Sequence, residues 1–257
     1  MIIIVSRVGD HCNRLFQSIH FHAYSIEAEH RFWNPTLIGM LTGASGYSEK
    51  LGDILQNYLL PPVLRLFKSW LPVYDDVLVA NESAITLVGG WGFRRHELTA
   101  KHRGFLSAFY KIRKPIPAFC RELFSLLAEA RAHGKVIIGV HVRRGDYRQF
   151  EGGRYWFADD IYADWIKAAR EHYRVHCNRE IFVIVCSNDK RQPACGQDLT
   201  SASPWHVDLR IFQACDLLIG PPSTFTAWAS YSASVPCIHI QDQSQQFCIE
   251  HARIVDG

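Results

Sequence analysis

Apolar residues in this chain fall into short continuous runs, and helically spaced stretches separate those runs. Ile2 to Ser6 is the first run. It ends at Gly9, after which Leu15, Phe16, Ile19, Ala23 and Ile26 recur at helical intervals, so the opening predicts strand, loop, helix. Leu51 to Leu60 and Val63 to Leu71 predict two helices broken at Pro61-Pro62. Val77 to Ala80 and Ile85 to Val88 predict strands, and Phe119 to Ala132 predicts an amphipathic helix closed by Gly134. A second series begins at Lys135. It runs through the strand Val136 to Val142, a helix over Asp160 to Tyr173, the strand Ile181 to Cys186 and a polar loop from Ser187 to about Ser203. A helix from His206 to Ala214, the strand Leu217 to Ile219, a helix after Pro222 and the strand Cys237 to Ile240 complete it.

Continuous rather than alternating apolar strands, with helices between them, predict an α/β fold whose parallel sheets are buried on both faces. A boundary near His133 to Lys135 predicts two domains, 1–133 and 134–257, and no fixed-period repeat interrupts either. The chain has 257 residues, 48% of them hydrophobic and 21% charged, which excludes disorder and fibrous repeats. With 28 Lys plus Arg against 25 Asp plus Glu, the formal charge of +3 is too balanced for a nucleic-acid binder. Eight cysteines without a Cys-x-x-Cys pair read as reduced apolar residues, not as a disulfide framework or zinc site. The opening Met1-Ile-Ile-Ile-Val5 is too short for a signal peptide, and no apolar run reaches the ~18 residues of a membrane span, so a cytoplasmic chain is expected.

Ligands of open parallel sheets bind beyond the carboxyl ends of the strands. The segments there are Asn13, His141 to Asp146, Ser187 to Asp189 and Ser223 to Phe225. His141-Val-Arg-Arg-Gly-Asp-Tyr147 is the sharpest of them, because paired arginines offer forked, permanently charged donors suited to phosphate oxygens. Side chains alternate along a strand, so Arg143 and Arg144 should diverge, one toward a ligand and one toward a carboxylate or backbone. A surface ion pair of Arg144 with Asp146 is the plainer reading of the same residues. Ser223-Thr224 reads equally as a simple helix cap, and Asp208 as a first-turn acid facing a helix dipole.

His-Val-Arg-Arg-Gly-Asp-Tyr resembles the His-x-Arg-Arg-x-Asp motif of the α-1,2-fucosyltransferases and their wider superfamily of α-1,6- and protein O-fucosyltransferases. Further segments are similar in order and character. They are Gly9 to Gln17, Gly89 to His96, Ser187-Asn-Asp189, Asp208 to Ile219, and Ser223-Thr-Phe-Thr-Ala-Trp228. The likeness is patchy before residue 130 and nearly continuous from 135 to 240. It implies a GT-B-type fold of two Rossmann-like domains, the first on the acceptor side and the second binding a GDP-sugar. It also implies inverting transfer of fucose from GDP-fucose to a glycan hydroxyl, α-1,2 before α-1,6, with no metal or cofactor.

By that likeness His141 and Asp208 recognise guanine or ribose, and Arg143 and Arg144 hold the diphosphate. Ser223, Thr224 and Phe225 contact phosphate and sugar, Ser187 and Asp189 belong to the donor block, and Asn13 reaches over from the first domain. The missing Asp-x-Asp fits a site in which arginines and helix N-termini neutralise the leaving group. Glu151, ten residues after His141, is spaced like the base glutamate of α-1,6-fucosyltransferases, with Asp146 as the alternative base or the partner of an arginine. Another GDP-sugar donor, or a non-catalytic GDP-sugar or glycan binder, would keep the same fold.

Three departures stand out. Cys12 replaces the glycine usual before the Asn, Arg14 replaces a Gln and adds a charge without a nameable partner, and Asn188 stands where an acid is common. His20 and His22 point to different helix faces, which disfavours a metal pair. The basic stretch from Arg94 to Arg103 reads as a solvated face, or as a contact for a lipid-linked acceptor at a membrane surface.

Overall fold

The computed structural model describes residues 1–37, 40, 60–80, 84–189 and 193–257. Two compact units divide the chain: Met1–Pro115 with Asp256–Gly257, and Ile116–Val255. The division falls earlier than the expected boundary at 133, because the helix Arg121–Ala132 is tied to the second unit. Its Arg131 donates to the Ala214 carbonyl at 2.8 Å and to Asp216 at 3.0 Å, and Asp216 in turn accepts from the Ile137 amide.

In the first unit, β1 (Ile2–Ile4), β2 (Phe32–Trp33), β3 (Val73–Tyr74) and β4 (Thr86–Val88) form a parallel sheet in the order β2-β1-β4-β3. Alternation splits β1 between two layers. Ile2 and Ile4 pack with Phe21 and Tyr24 of α1 (His11–Glu27), whereas Ile3 faces away with Val5, Leu87 and Leu64 of α2 (Leu60–Trp70). Pro61 and Pro62 lie at the start of α2, where amides need no intrahelical acceptor. The helix expected over residues 51 to 59 lies outside the described residues. Val77–Ala80 is a 3-10 turn, not a strand, because the Asp76 carboxylate captures the Leu78 amide at 2.9 Å and bends the backbone. Two short helices, α3 (His96–Lys101) and α4 (Arg103–Phe109), follow.

In the second unit, α5 (Arg121–Ala132) leads into β5 (Val136–Val142), α6 (Asp159–Cys177), β6 (Ile181–Ser187), β7 (Leu199–Ser201), α7 (Trp205–Gln213), β8 (Leu217–Gly220), α8 (Thr224–Ala233) and β9 (Cys237–His239). All five strands are parallel, in the order β7-β6-β5-β8-β9. Val136, Ile138, Val140 and Val142 bury one face of β5 against Tyr162, Trp165, Ile166 and Ala169 of α6. Gly139 opens the other face to α7, since a Cβ there would come within 2.8 Å of Phe212. Strand β7 lies inside the stretch expected to be a polar loop. Its Thr200 and Ser201 carry no apolar signal, and pairing with β6 fixes them.

Both expected features of the fold are present: alternating strands and helices, and parallel sheets with apolar strands. Among the described residues no helix is long and apolar enough to cross a membrane. All eight cysteines are free.

Candidate functional site

The strand order of the second sheet reverses between β5 and β8, the topological switch point where open α/β sheets leave a crevice for ligands. His141 and Arg143 leave β5 at this point, and Pro222-Ser223 leads from β8 into α8. Register aligns a polar row across the whole sheet. Ser201 pairs with Cys186, Cys186 with His141, and Gly220 with His239, and parallel partners share a face. Gly220 adjoins His141 because a Cβ there would lie 2.8 Å from the His141 carbonyl oxygen and 3.0 Å from its Cβ.

His141 is buried, with its ring against Phe225 at 5.4 Å and Phe212 at 5.8 Å. Burial, reinforced by Arg143 and His239, lowers its pKa to about 3, so the ring is neutral near pH 7. Its Nδ1 has no hydrogen-bond partner among the described residues, a costly state for a buried polar atom and one that a ligand can relieve. Asp208, near the start of α7, accepts from the Ser201 hydroxyl and the Cys186 thiol. Burial raises its pKa to about 7. His239, unnoticed in the sequence, closes the row with its Nε2 3.3 Å from the Thr226 hydroxyl, and burial lowers its pKa.

Arg143 and Arg144 diverge as strand alternation requires. The Arg143 side chain is 23% exposed and pairs with the exposed Asp146 at 2.9 Å. Its guanidinium lies 5.2 Å over the Tyr147 ring, and its Nε is unpartnered among the described residues. Arg144 is only 8% exposed and ion-pairs with Asp159 at the start of α6, with the Trp156 ring at 4.7 Å and the Tyr162 ring at 5.7 Å. Arg144 thus has an ion-pair partner on the α6 side, and its Nη1 has no hydrogen-bond partner among the described residues. The plainer pairing of Arg144 with Asp146 does not form, since Asp146 is taken by Arg143.

Ser187 and Asn188 brace the end of β5. The Ser187 hydroxyl donates to the Val142 carbonyl at 2.9 Å and accepts from the Asp189 amide at 3.1 Å. Asn188 accepts from the Arg144 amide at 2.7 Å and donates to the Arg144 carbonyl at 3.4 Å, a donation that an ionised acid at this position could not make. Ser223 caps α8 by accepting from the Phe225 amide at 3.2 Å, and Thr224 begins the helix. The Tyr147 hydroxyl donates to the Pro222 carbonyl at 2.5 Å, which draws the Arg143 loop against the N-terminus of α8. Tyr147 thus links the Arg143 guanidinium over its ring to the N-terminus of α8 through its hydroxyl, and a cation and a helix N-terminus both attract anions. Glu151 is exposed, with φ 48° and ψ 42°, the left-handed region that side chains with a Cβ rarely adopt.

Curated relatives of the chain include galactoside alpha-(1,2)-fucosyltransferase 1 of Saimiri boliviensis boliviensis, 26% identical over 160 residues, or 58% of this chain and 42% of that protein. The enzyme of the same name from Lagothrix lagotricha is 25% identical over the same coverage. The chain therefore spans less than half the length of the curated relatives it matches. Among solved structures, a mutant of Arabidopsis thaliana FUT1 in complex with GDP superposes with a TM-score of 0.54 at 10% identity, covering 98% of this chain and 73% of that one. The fucosyltransferase NodZ from Bradyrhizobium gives 0.51 at 13% identity, covering 95% and 96%. The chain is therefore similar in part of its sequence to galactoside alpha-(1,2)-fucosyltransferases and in fold to two solved fucosyltransferases. Its two parallel-sheet units make a GT-B-type fold. No family model matches it.

The first unit holds the remaining expected residues. Asn13 lies in the first turn of α1 with its amide folded over Gly9, where a Cβ would meet its Nδ2 at 2.0 Å. Arg14 is buried and donates to the Thr36 carbonyl at 3.1 Å, the partner its sequence does not name, and burial lowers its pKa to about 10. Gln17 donates to the carbonyls of Gly89 and Gly90 at the end of β4. The basic stretch is largely paired, with Lys101 on Glu27 and Arg103 on Asp256, both at 2.8 Å. Arg94 lies 4.1 Å over the Trp91 ring. Among the described residues no group of three or more His, Cys, Asp or Glu side chains could hold a metal ion.

Proposed function

We propose that the chain transfers fucose from GDP-fucose to a hydroxyl of a galactoside glycan, forming an α-1,2 linkage with inversion and without a metal ion. The observation that carries this reading is the link that Tyr147 makes between Arg143, over its ring, and Pro222 at the N-terminus of α8, at the switch point of the second sheet. A diphosphate there would have a forked cation on one side and helix amides on the other, so its growing charge would be stabilised as it leaves. Neutral His141, with an unpartnered Nδ1, and the Asp208 carboxyl supply hydrogen-bonding groups for guanine or ribose. The galactoside and the α-1,2 linkage rest on the activity named for the curated relatives.

In the transfer, the acceptor oxygen forms a bond to the anomeric carbon from the face opposite the phosphate while the carbon–oxygen bond to GDP breaks. The acceptor proton passes to the Glu151 carboxylate, which the glycine-flanked turn holds out to solvent. GDP departs as the anion held by Arg143 and α8. Asp146 orients Arg143 instead of acting as base.

Incubation with GDP-fucose, GDP-mannose and UDP-galactose against a glycan panel, with and without EDTA, tests this. Transfer from GDP-fucose alone, unaffected by chelator and 2-linked by NMR of the product, is expected. A 6-linked product removes the linkage, restoration of activity by Mn²⁺ or Mg²⁺ removes metal independence, and transfer from UDP-galactose removes the donor.

A further inference from the structure

The loop between β5 and α6 carries five aromatic rings, and Phe150 is the exception among them. Phe157 is fully buried, and Tyr147 and Tyr155 are buried nearly so. Arg143 covers Tyr147, Arg154 lies 5.0 Å over Tyr155, and Trp156 has Arg148 at 5.2 Å and Arg144 at 4.7 Å. Phe150 instead presents 45% of its surface to solvent. It is nevertheless fixed, because it stacks on Tyr147 with centroids 5.1 Å apart and planes at 25°. The Tyr147 hydroxyl anchors that pair to Pro222, one residue before the cap of α8. An apolar ring is therefore held open to water beside the proposed diphosphate position. The next residue is Glu151, in its left-handed conformation.

We propose that the exposed face of Phe150 is the platform on which the galactose of the acceptor proposed above stacks. The inference rests on the transfer reaction proposed above and assigns its acceptor subsite. The negative face of an aromatic ring attracts polarised C–H groups. Galactose, with its axial 4-hydroxyl, gathers the hydrogens on C3, C4 and C5 on one face, whereas an all-equatorial hexose divides its C–H groups between two faces. A galactose stacked on Phe150 projects its equatorial 2-hydroxyl from the ring edge, where the neighbouring carboxylate of Glu151 can take the proton.

Saturation-transfer NMR with methyl β-D-galactopyranoside and methyl β-D-glucopyranoside, in the presence of GDP, reads the contact directly, and transfer kinetics with lactose read its use. In the wild type, saturation should be strongest at H3, H4 and H5 of the galactoside and weak for the glucoside. Phe150→Ala should raise the lactose KM roughly 2- to 12-fold, the size of one stacking interaction. Phe150→Tyr, which keeps the ring, should recover most of that loss, and GDP affinity by calorimetric titration should be the same in all three proteins. Equal lactose constants in wild type and Phe150→Ala overturn the proposal, as does a glucoside signal equal to the galactoside signal or no galactoside signal at all. Loss of GDP affinity in Phe150→Ala also overturns it, by making the ring part of the donor side. Galactoside saturation that Phe150→Ala abolishes, in a protein that makes no product from GDP-fucose, keeps the subsite and removes the donor reading. Transfer with an unchanged KM in Phe150→Ala does the reverse.

Discussion

Arg143 and Arg144 are neighbours of identical chemistry, yet the two faces of β5 treat them oppositely. On the α6 face Arg144 is enclosed by two rings and neutralised by Asp159, whose other carboxylate oxygen accepts from the Ala194 amide at 3.1 Å. On the α7 and α8 face Arg143 stays partly exposed beside a histidine with an unpartnered nitrogen. Burial turns a cation into a strut, and partial exposure leaves the same cation available to a ligand. A one-residue change in strand position decides which role an arginine takes.

The comparison breaks most visibly in stability. Arg144→Ala leaves Asp159 without its cation and empties the space between Trp156 and Tyr162, so unfolding free energy should drop by about 3–4 kcal/mol. Urea denaturation measures this, and a loss under 1 kcal/mol would mean that the pair is dispensable. Asp208 sharpens the picture of the other face. Its carboxyl titrates at about 7 when folded and near 4 when unfolded, so the stability it supports is complete below pH ~4 and is lost as pH rises to 7. Relative to Asp208→Asn, the wild type should therefore lose on the order of 2–3 kcal/mol between pH 4 and 7, and parallel stability curves would contradict it.

Arg143→Ala, by contrast, should unfold within about 0.5 kcal/mol of wild type, as expected for a surface substitution. On the proposed reading its GDP affinity should fall about 10- to 150-fold through one lost charge-assisted contact. Titration calorimetry beside the denaturation curves separates the two arginines, and equal behaviour in both assays would erase the distinction. The smallest effect concerns Glu151. Glu151→Gly relieves a left-handed residue and should stabilise the chain by roughly 0.5–1 kcal/mol while transfer falls sharply. A variant that is both stabilised and fully active would leave the strain without a purpose.

Much of this organisation can be read along the chain. Val136 to Val142 is apolar at every position but His141, so its burial on both faces and its place at the centre of a parallel sheet follow from composition. The divergence of the arginines follows from strand alternation. Their partners do not, because Asp159 reaches Arg144 only once α6 has packed and Asp146 must choose between two cations. Ser201 and His239 stay hidden for a related reason. Both lie in three-residue edge strands, and their kinship with His141 arises from register between strands instead of spacing along one. Val77 to Ala80 misleads because hydrophobicity there competes with the Asp76 side chain, which captures a backbone amide.

The polar row that crosses all five strands also ties recognition to folding cooperativity. Ser201, Cys186, His141, Gly220 and His239 come from segments up to about a hundred residues apart, and a slip of one residue in any strand would turn its member to the opposite face. No fraction of the sheet can hold the row by itself. Amide exchange in the edge strands β7 and β9 should therefore slow together with that of central β5 when a nucleotide binds, although a nucleotide at the switch point spans only part of the sheet.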